Sequence, residues 1–355
     1  MISIIGGGPI GAYTAYLLAE AGEKVRIFEE HKEIGRPIQC TGIVSKNLFK
    51  VLDLDEKFIV NKVKGARLYS PNNVFFEVKG KNVEGFILDR EKFDKHLIKK
   101  AVDEGVELFL GHKFIKNEGN KLIFDKRAYE TDILIGADGP LSKVAKCNEM
   151  FNREFCLGLQ ARIKLEKDSD FVELYMGKNC KNGFGWVVPE NNKICRVGIM
   201  TTERNSGEIF NSFLSKFSKK IINKQAGLIP IYNSKNKIRK DNIFLIGDAA
   251  GQVKPTTGGG IVIGINSAKI LSDCILNNKN YEKEFKKKLG RNMWMNLFIR
   301  KKLNKFDDNK YNELIRMFNK EKVKEYMCRK GDMDFPSRFF LGLLFREPKL
   351  LKFLY

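Results

Sequence analysis

The feature that most limits what this chain can become is the apolar run Ile2-Ser3-Ile4-Ile5, which enters Gly6-x-Gly8-x-x-Gly11 without a break and continues as AYTAYLLAEAG. The run reads as strand, turn and helix, with Gly22 ending the helix. Gly6 permits a tight turn, Gly8 lets the backbone approach a pyrophosphate, and Gly11 lets the helix pack against the strand. The helix N-terminus that follows Pro9 carries a partial positive charge suited to phosphate. A second strand, KVRIFEE, ends at Glu29 and Glu30, with Glu29 standing 18 residues after Gly11, placed to accept hydrogen bonds from an adenosine ribose. Strand, helix, strand and terminal acid in this order predict a dinucleotide-binding domain.

A second glycine-rich turn lies far downstream. NIFLIGDAAG is an apolar strand running into Gly247-Asp248, and KPTTGGGIVIGINSAKILSD opens another helix. This pattern selects FAD over a nicotinamide nucleotide. Asp248 is placed to accept from ribityl or ribose hydroxyls, and the amides near Thr257, Gly258 and Gly259 direct a helix dipole at the N1/C2 carbonyl edge of a flavin. Pro255, Gly260 and Ile261 belong to the same cradle. The plain alternative for Asp248 is the N-cap of a surface helix.

Composition excludes several classes. A length of 355 residues predicts two domains or one large core with an appendage. There is no run of about 18 uncharged apolar residues, and because ISIIGGG reads at once as strand and turn, no leader peptide is expected and the location is expected to be cytoplasmic. The seven cysteines (Cys40, Cys147, Cys156, Cys180, Cys195, Cys274, Cys328) are scattered without a C-x-x-C pair, so neither a metal site nor a disulfide framework is expected. The three histidines (His31, His96, His112) have no ligand spacing. The net charge of +21 suggests nucleic acid first, but no helix-turn-helix, zinc-finger or RNA-recognition pattern accompanies it and the lysines are spread over the chain. A lysine-rich solvated surface, an anionic membrane surface, a phosphate-bearing substrate and an acidic redox partner stay open.

Other segments carry a resemblance. The first turn with Glu29, the stretch LIGADGPLSKVAK with Ala137, Asp138, Gly139 and Ser142, and the Gly247-Asp248 turn resemble the marks of flavoprotein hydroxylases of the para-hydroxybenzoate hydroxylase type. LDREKFDKHL, with Arg90, is similar to the arginine-bearing segment before a helix of that group. EIGRPIQCTGIVS, GFGWVVP and KPTTGGGIVIG are more particular and resemble the geranylgeranyl reductases, including the archaeal digeranylgeranylglycerophospholipid reductases. The resemblance spans residues 1 to about 275.

It implies bound FAD and hydrogenation of isoprenoid double bonds on lipids, with hydride leaving flavin N5 for one alkene carbon and a proton reaching the other. It places Arg36, Pro37, Cys40 and Gly42 close to the flavin, with Cys40 as the candidate catalytic residue, the alternative being a small buried hydrophobe. It also implies a lipid-facing aromatic segment, read here as Phe184, Trp186 and Pro189, with Phe184 where the family has Tyr and Val188 in place of its second aromatic. The alternative is the ordinary apolar side of a sheet.

The fold expected is α/β, or α+β overall. A Rossmann-like FAD-binding domain (1–62, 84–148 and 238–284) is interrupted by an antiparallel sheet that roofs the cofactor (63–83 and 149–237), and a helical region (285–355) follows. FPSRFFLGLLFREPKLLKFLY, at residues 335–355, reads either as a helix pair packed on the core or on another subunit, or as an interfacial segment lying on anionic lipid. Three functions stay open: the reductase, a flavin monooxygenase using NAD(P)H and oxygen, and an electron-carrying or lipid-binding flavoprotein. The absence of a second complete G-x-G-x-x-G unit leaves the electron donor as an acidic ferredoxin or NAD(P)H.

Overall fold

A computed structural model describes residues 1–125, 127–152, 154–217 and 220–354. Its organising layer is a six-stranded sheet in the order Arg239–Lys240, Ile243–Leu245, Ile133–Gly136, Ile2–Ile5, Val25–Glu29, Glu107–Leu110. All neighbours are parallel except the short edge pair Arg239–Lys240 with Ile243–Leu245. The central strand Ile2–Ile5 is buried at every position. That is why its sequence is continuously apolar and not alternating: helices cover both faces of such a sheet. The helix Pro9–Glu20 begins with its proline in the first turn, packs on Arg90–Asp103 and Ile261–Leu276, and stops just before Gly22, whose φ is +88°.

The second layer is a seven-stranded sheet, in the order Ile221–Pro230, Phe155–Lys164, Ile194–Thr201, Phe184–Pro189, Phe171–Tyr175, Gly65–Tyr69, Phe75–Lys79. It is not wholly antiparallel as expected, because Phe171–Tyr175 runs parallel to Gly65–Tyr69. The reason is topological. Between these strands the chain crosses to the parallel sheet and returns, and a long crossover is what lets two strands run the same way. Side-chain alternation gives this sheet two different faces. Val187 joins Ala161, Ile163, Val197, Phe210 and Phe213 under the helix Ser206–Leu214, whereas Phe184, Trp186 and Val188 pack with Val172 and Met200 on the other side.

Beyond residue 280 the chain is helical, with Arg291–Leu303, Asp308–Phe318, Glu321–Lys330 and Phe340–Arg346 as its main elements. Met317, Val323, Leu343, Leu350 and Phe353 form a small core of their own. Leu341 and Phe345 are left 54% and 84% exposed. One face of this last helix is thus docked through Leu343, and the other is left exposed. Among the described residues no helix is long and apolar enough to cross a membrane.

Candidate functional site

Between the two sheets lies one cavity of about 1470 Å³ that reaches both glycine turns and the inner face of the seven-stranded sheet. At the first turn, Gly6 has φ +109°, and a Cβ there would stand 2.4 Å from the Ala137 carbonyl oxygen, so only glycine fits. Gly8 and Pro9 line the cavity, and a Cβ on Gly8 would meet nothing within 4 Å. The protein leaves that position open to something else. Gly11 does not line the cavity; a Cβ there would meet the Gly6 carbonyl oxygen at 2.2 Å, which makes its role the packing of helix on turn. Glu29 ends its strand in the wall beside Glu30. Its Oε2 accepts from the Gly7 N–H at 2.7 Å and its Oε1 from the His31 N–H at 3.0 Å, which fixes the carboxylate against the turn.

At the second turn Gly247, Asp248, Gly258, Gly259, Gly260 and Ile261 all line the cavity. Gly258 has φ +68°, and its N–H donates to the Lys254 carbonyl at 2.9 Å, which closes the loop before the helix starts at Ile261. Pro255 does not reach the cavity. Its carbonyl instead accepts from Arg300 Nε at 3.0 Å. Ala137, Asp138 and Gly139 form the wall between the turns. The Asp138 carboxylate accepts from Ser142 Oγ at 2.6 Å and from the N–H groups of Lys143 and Val144 at 2.7 and 3.0 Å, so it braces the short helix that follows. Burial pushes its pKa up against the pull of those bonds.

Arg36, Pro37, Cys40 and Gly42 line the cavity next to Arg90. Arg90 is the first residue of its helix, not part of a segment before it. It makes a two-pronged ion pair with Asp94 (3.1 and 2.9 Å). Burial works against its charge, but Asp94 and the neighbouring Cys40 outweigh it, and the Arg90 pKa is raised. The Cys40 sulfur accepts from the Gly42 N–H at 3.2 Å. Arg36 is exposed and bonds Glu91 at 3.0 Å.

Phe184, Trp186 and Val188 line the cavity, whereas Pro189 does not. A strand turns alternate side chains to opposite faces, and Pro189 falls in step with Val187; its carbonyl accepts from Asn61 Nδ2 at 3.0 Å. Sequence reasoning missed the residues that hold this wall. Trp186 Nε1 donates to Gln160 Oε1 at 3.0 Å, Thr41 Oγ1 donates to the same oxygen at 2.8 Å, and Gln160 Nε2 donates to Gln225 at 2.9 Å. It also missed Lys254, at the head of the second turn, and Arg300 and Asp334, which line the cavity from segments without any motif. The one legible signal among them was a lysine opening KPTTGGG.

The residues present fit FAD: two helix starts open onto one cavity, Gly8 is free for close approach, and Gly258 holds a conformation that only glycine takes easily. Residues 1–277 match the family described as FAD binding domain. A digeranylgeranylglycerophospholipid reductase of Methanosphaera stadtmanae is 30% identical, covering 80% of this chain and 79% of its own length. One from Thermoplasma acidophilum is 29% identical over 90% of this chain and 91% of its own. Among solved structures, a geranylgeranyl bacteriochlorophyll reductase-like protein of Thermoplasma acidophilum superposes with a TM-score of 0.85 at 25% identity, over 99% of this chain and 97% of that one.

Proposed function

The chain belongs to the FAD-binding-domain family, in its geranylgeranyl reductase branch, and on that premise we propose that it hydrogenates carbon–carbon double bonds in the isoprenoid chains of membrane lipids or their precursors. The observation that carries this reading is the shape of the site. The same cavity that opens onto both FAD turns continues along a wall of Phe184, Trp186, Val188, Leu174 and Met200. A wall of that kind holds an apolar chain and offers little to a small polar substrate.

FAD, when bound and reduced, supplies the hydride. The chain's own residues do the rest. The turns at Gly6–Gly11 and Gly247–Ile261 orient the cofactor, and the apolar wall keeps water from the reacting carbons. Cys40 is the proposed proton donor. Its S–H proton goes to the alkene carbon that does not receive hydride, and the sulfur, now negative, stays beside the Arg90 guanidinium until solvent reprotonates it.

The exposed Leu341 and Phe345, on the helix that ends with Arg346, are proposed to rest on the anionic membrane that holds the substrate. The electron donor is proposed to be an acidic protein such as a ferredoxin, drawn by the +21 charge, or NAD(P)H.

The test is anaerobic. The flavin is reduced with dithionite, a geranylgeranylated glycerophospholipid is added, and flavin spectrum and lipid mass are followed together. Reoxidation of the flavin with gains of two hydrogens per step supports the proposal. A flavin that stays reduced under the lipid, then reoxidises in air as substrate is hydroxylated, makes the protein a monooxygenase. A Cys40→Ser protein with unchanged turnover removes Cys40 from the chemistry.

A further inference from the structure

Arg300 lies on the helix Arg291–Leu303, outside the stretch matched by the FAD-binding family, yet it lines the cavity and is only 5% exposed. Its guanidinium spends four of five N–H donors on neutral acceptors. Nε donates to the Pro255 carbonyl (3.0 Å), the two terminal nitrogens to Thr256 O (2.6 Å), Gly183 O (3.3 Å) and Asn304 Oδ1 (3.4 Å). The Phe184 ring centroid stands 5.5 Å from its central carbon.

Among the described residues, no carboxylate stands within ion-pair distance of Arg300. Its titratable neighbours are Tyr311 and Cys156, and burial pushes both pKa values up, so both are neutral at physiological pH. A guanidinium does not shed its proton to escape burial. A buried charge without a counter-charge is costly and calls for an anion from outside the chain.

The contrast with Lys254 is direct. That ammonium, in the same loop, is bonded to Asp334 and is thereby neutralised. Of the two buried cations at the loop, Arg300 alone keeps its field.

We infer that Arg300 is a positioning residue for the flavin loop and the standing counter-charge for the reduced cofactor. A flavin that takes up two electrons and one proton becomes a singly negative ring, and a positive charge fixed in a weakly screened wall favours that form over the neutral oxidised one. Arg300 thus raises the reduction potential while its bonds to Pro255 and Thr256 hold the loop against the Phe184 wall. The inference rests on bound FAD and not on which lipid is reduced.

The test is a reductive titration of the purified holoprotein against a reference dye, with no lipid present, so failure of the lipid reaction leaves it untouched. Arg300→Gln removes the charge and keeps part of the hydrogen bonding; Arg300→Lys keeps the charge. Asn304→Asp leaves Arg300 in place and sets a carboxylate beside it from an exposed position. The result expected is a tenfold or greater loss of preference for reduced flavin in Arg300→Gln and Asn304→Asp, a fall of about 30 mV for a two-electron couple, with Arg300→Lys within a third of that shift. An unchanged potential in Arg300→Gln overturns the inference, and so does an equal fall in Arg300→Lys. If Arg300→Gln does not retain flavin, Asn304→Asp decides: a lowered potential supports the counter-charge and an unchanged one overturns it.

Discussion

The indole N–H of Trp186 is committed to Gln160 Oε1 at 3.0 Å, and that oxygen also takes the Thr41 hydroxyl at 2.8 Å. One buried amide therefore sets the orientation of the cavity-facing tryptophan and ties it to the loop carrying Cys40. Replacing Gln160 by Leu strands both donors in an apolar wall, and an unpaired buried donor costs about 1–3 kcal/mol. The expectation is a lower Tm together with a shifted Trp186 emission, read in a Trp294→Phe background because the chain has two tryptophans. Unaltered emission with unaltered turnover would show that the amide does not orient the ring.

A second prediction concerns the buried pair of Lys254 and Asp334, whose carboxylate also takes Ser45 Oγ and, at 3.0 Å, Asn47 Nδ2. Breaking such a pair by changing one partner costs about 3–5 kcal/mol, so Asp334→Asn is expected to lower Tm clearly. Burial alone would raise the Asp334 pKa, but the Lys254 charge and the three side-chain bonds outweigh it and hold it below the ordinary value. A depressed carboxylate pKa gives stability that is complete above the unfolded value, near 3.9, and is lost as pH falls toward the folded one. Tm against pH should therefore steepen below about pH 4 in the parent protein, and that component should vanish in Asp334→Asn.

The first glycine turn predicts two different failures. Gly6→Ala forces a Cβ into the Ala137 carbonyl at 2.4 Å, with φ +109°, so fold and cofactor binding should fall together. Gly8→Ala meets no protein atom within 4 Å. It should leave the apoprotein stability within about 0.5 kcal/mol of the parent while FAD affinity, from flavin fluorescence titration, drops tenfold or more. Equal FAD affinity in Gly8→Ala would place the pyrophosphate elsewhere.

Membrane docking predicts that Phe345→Glu together with Leu341→Glu leaves the protein folded, because both side chains already face solvent. Flotation with vesicles containing anionic lipid should lose most of the bound fraction, and the parent's binding should weaken as salt rises. Full flotation of the double variant would assign the contact to another surface.

Some of this protein was determined by its sequence alone. The strand Ile2–Ile5, the turn Gly6–Gly11 and the helix Pro9–Glu20 are local: each rests on burial pattern and backbone freedom within a few residues, and those are written in the residues themselves. The Phe184, Trp186 and Val188 face was legible for the same reason, since alternation is a property of one strand. Pro189 was misplaced because a motif was followed where the period of two should have been.

Only tertiary structure decided the rest. The parallel pairing of Phe171–Tyr175 with Gly65–Tyr69 depends on where a crossover of about a hundred residues returns. Gln160, Arg300 and Asp334 meet the site from distant segments, Asp334 as the partner of Lys254 in the second turn. A buried charge or amide is selected by the partner it finds in space, and nothing in its own neighbours along the chain says which partner that is.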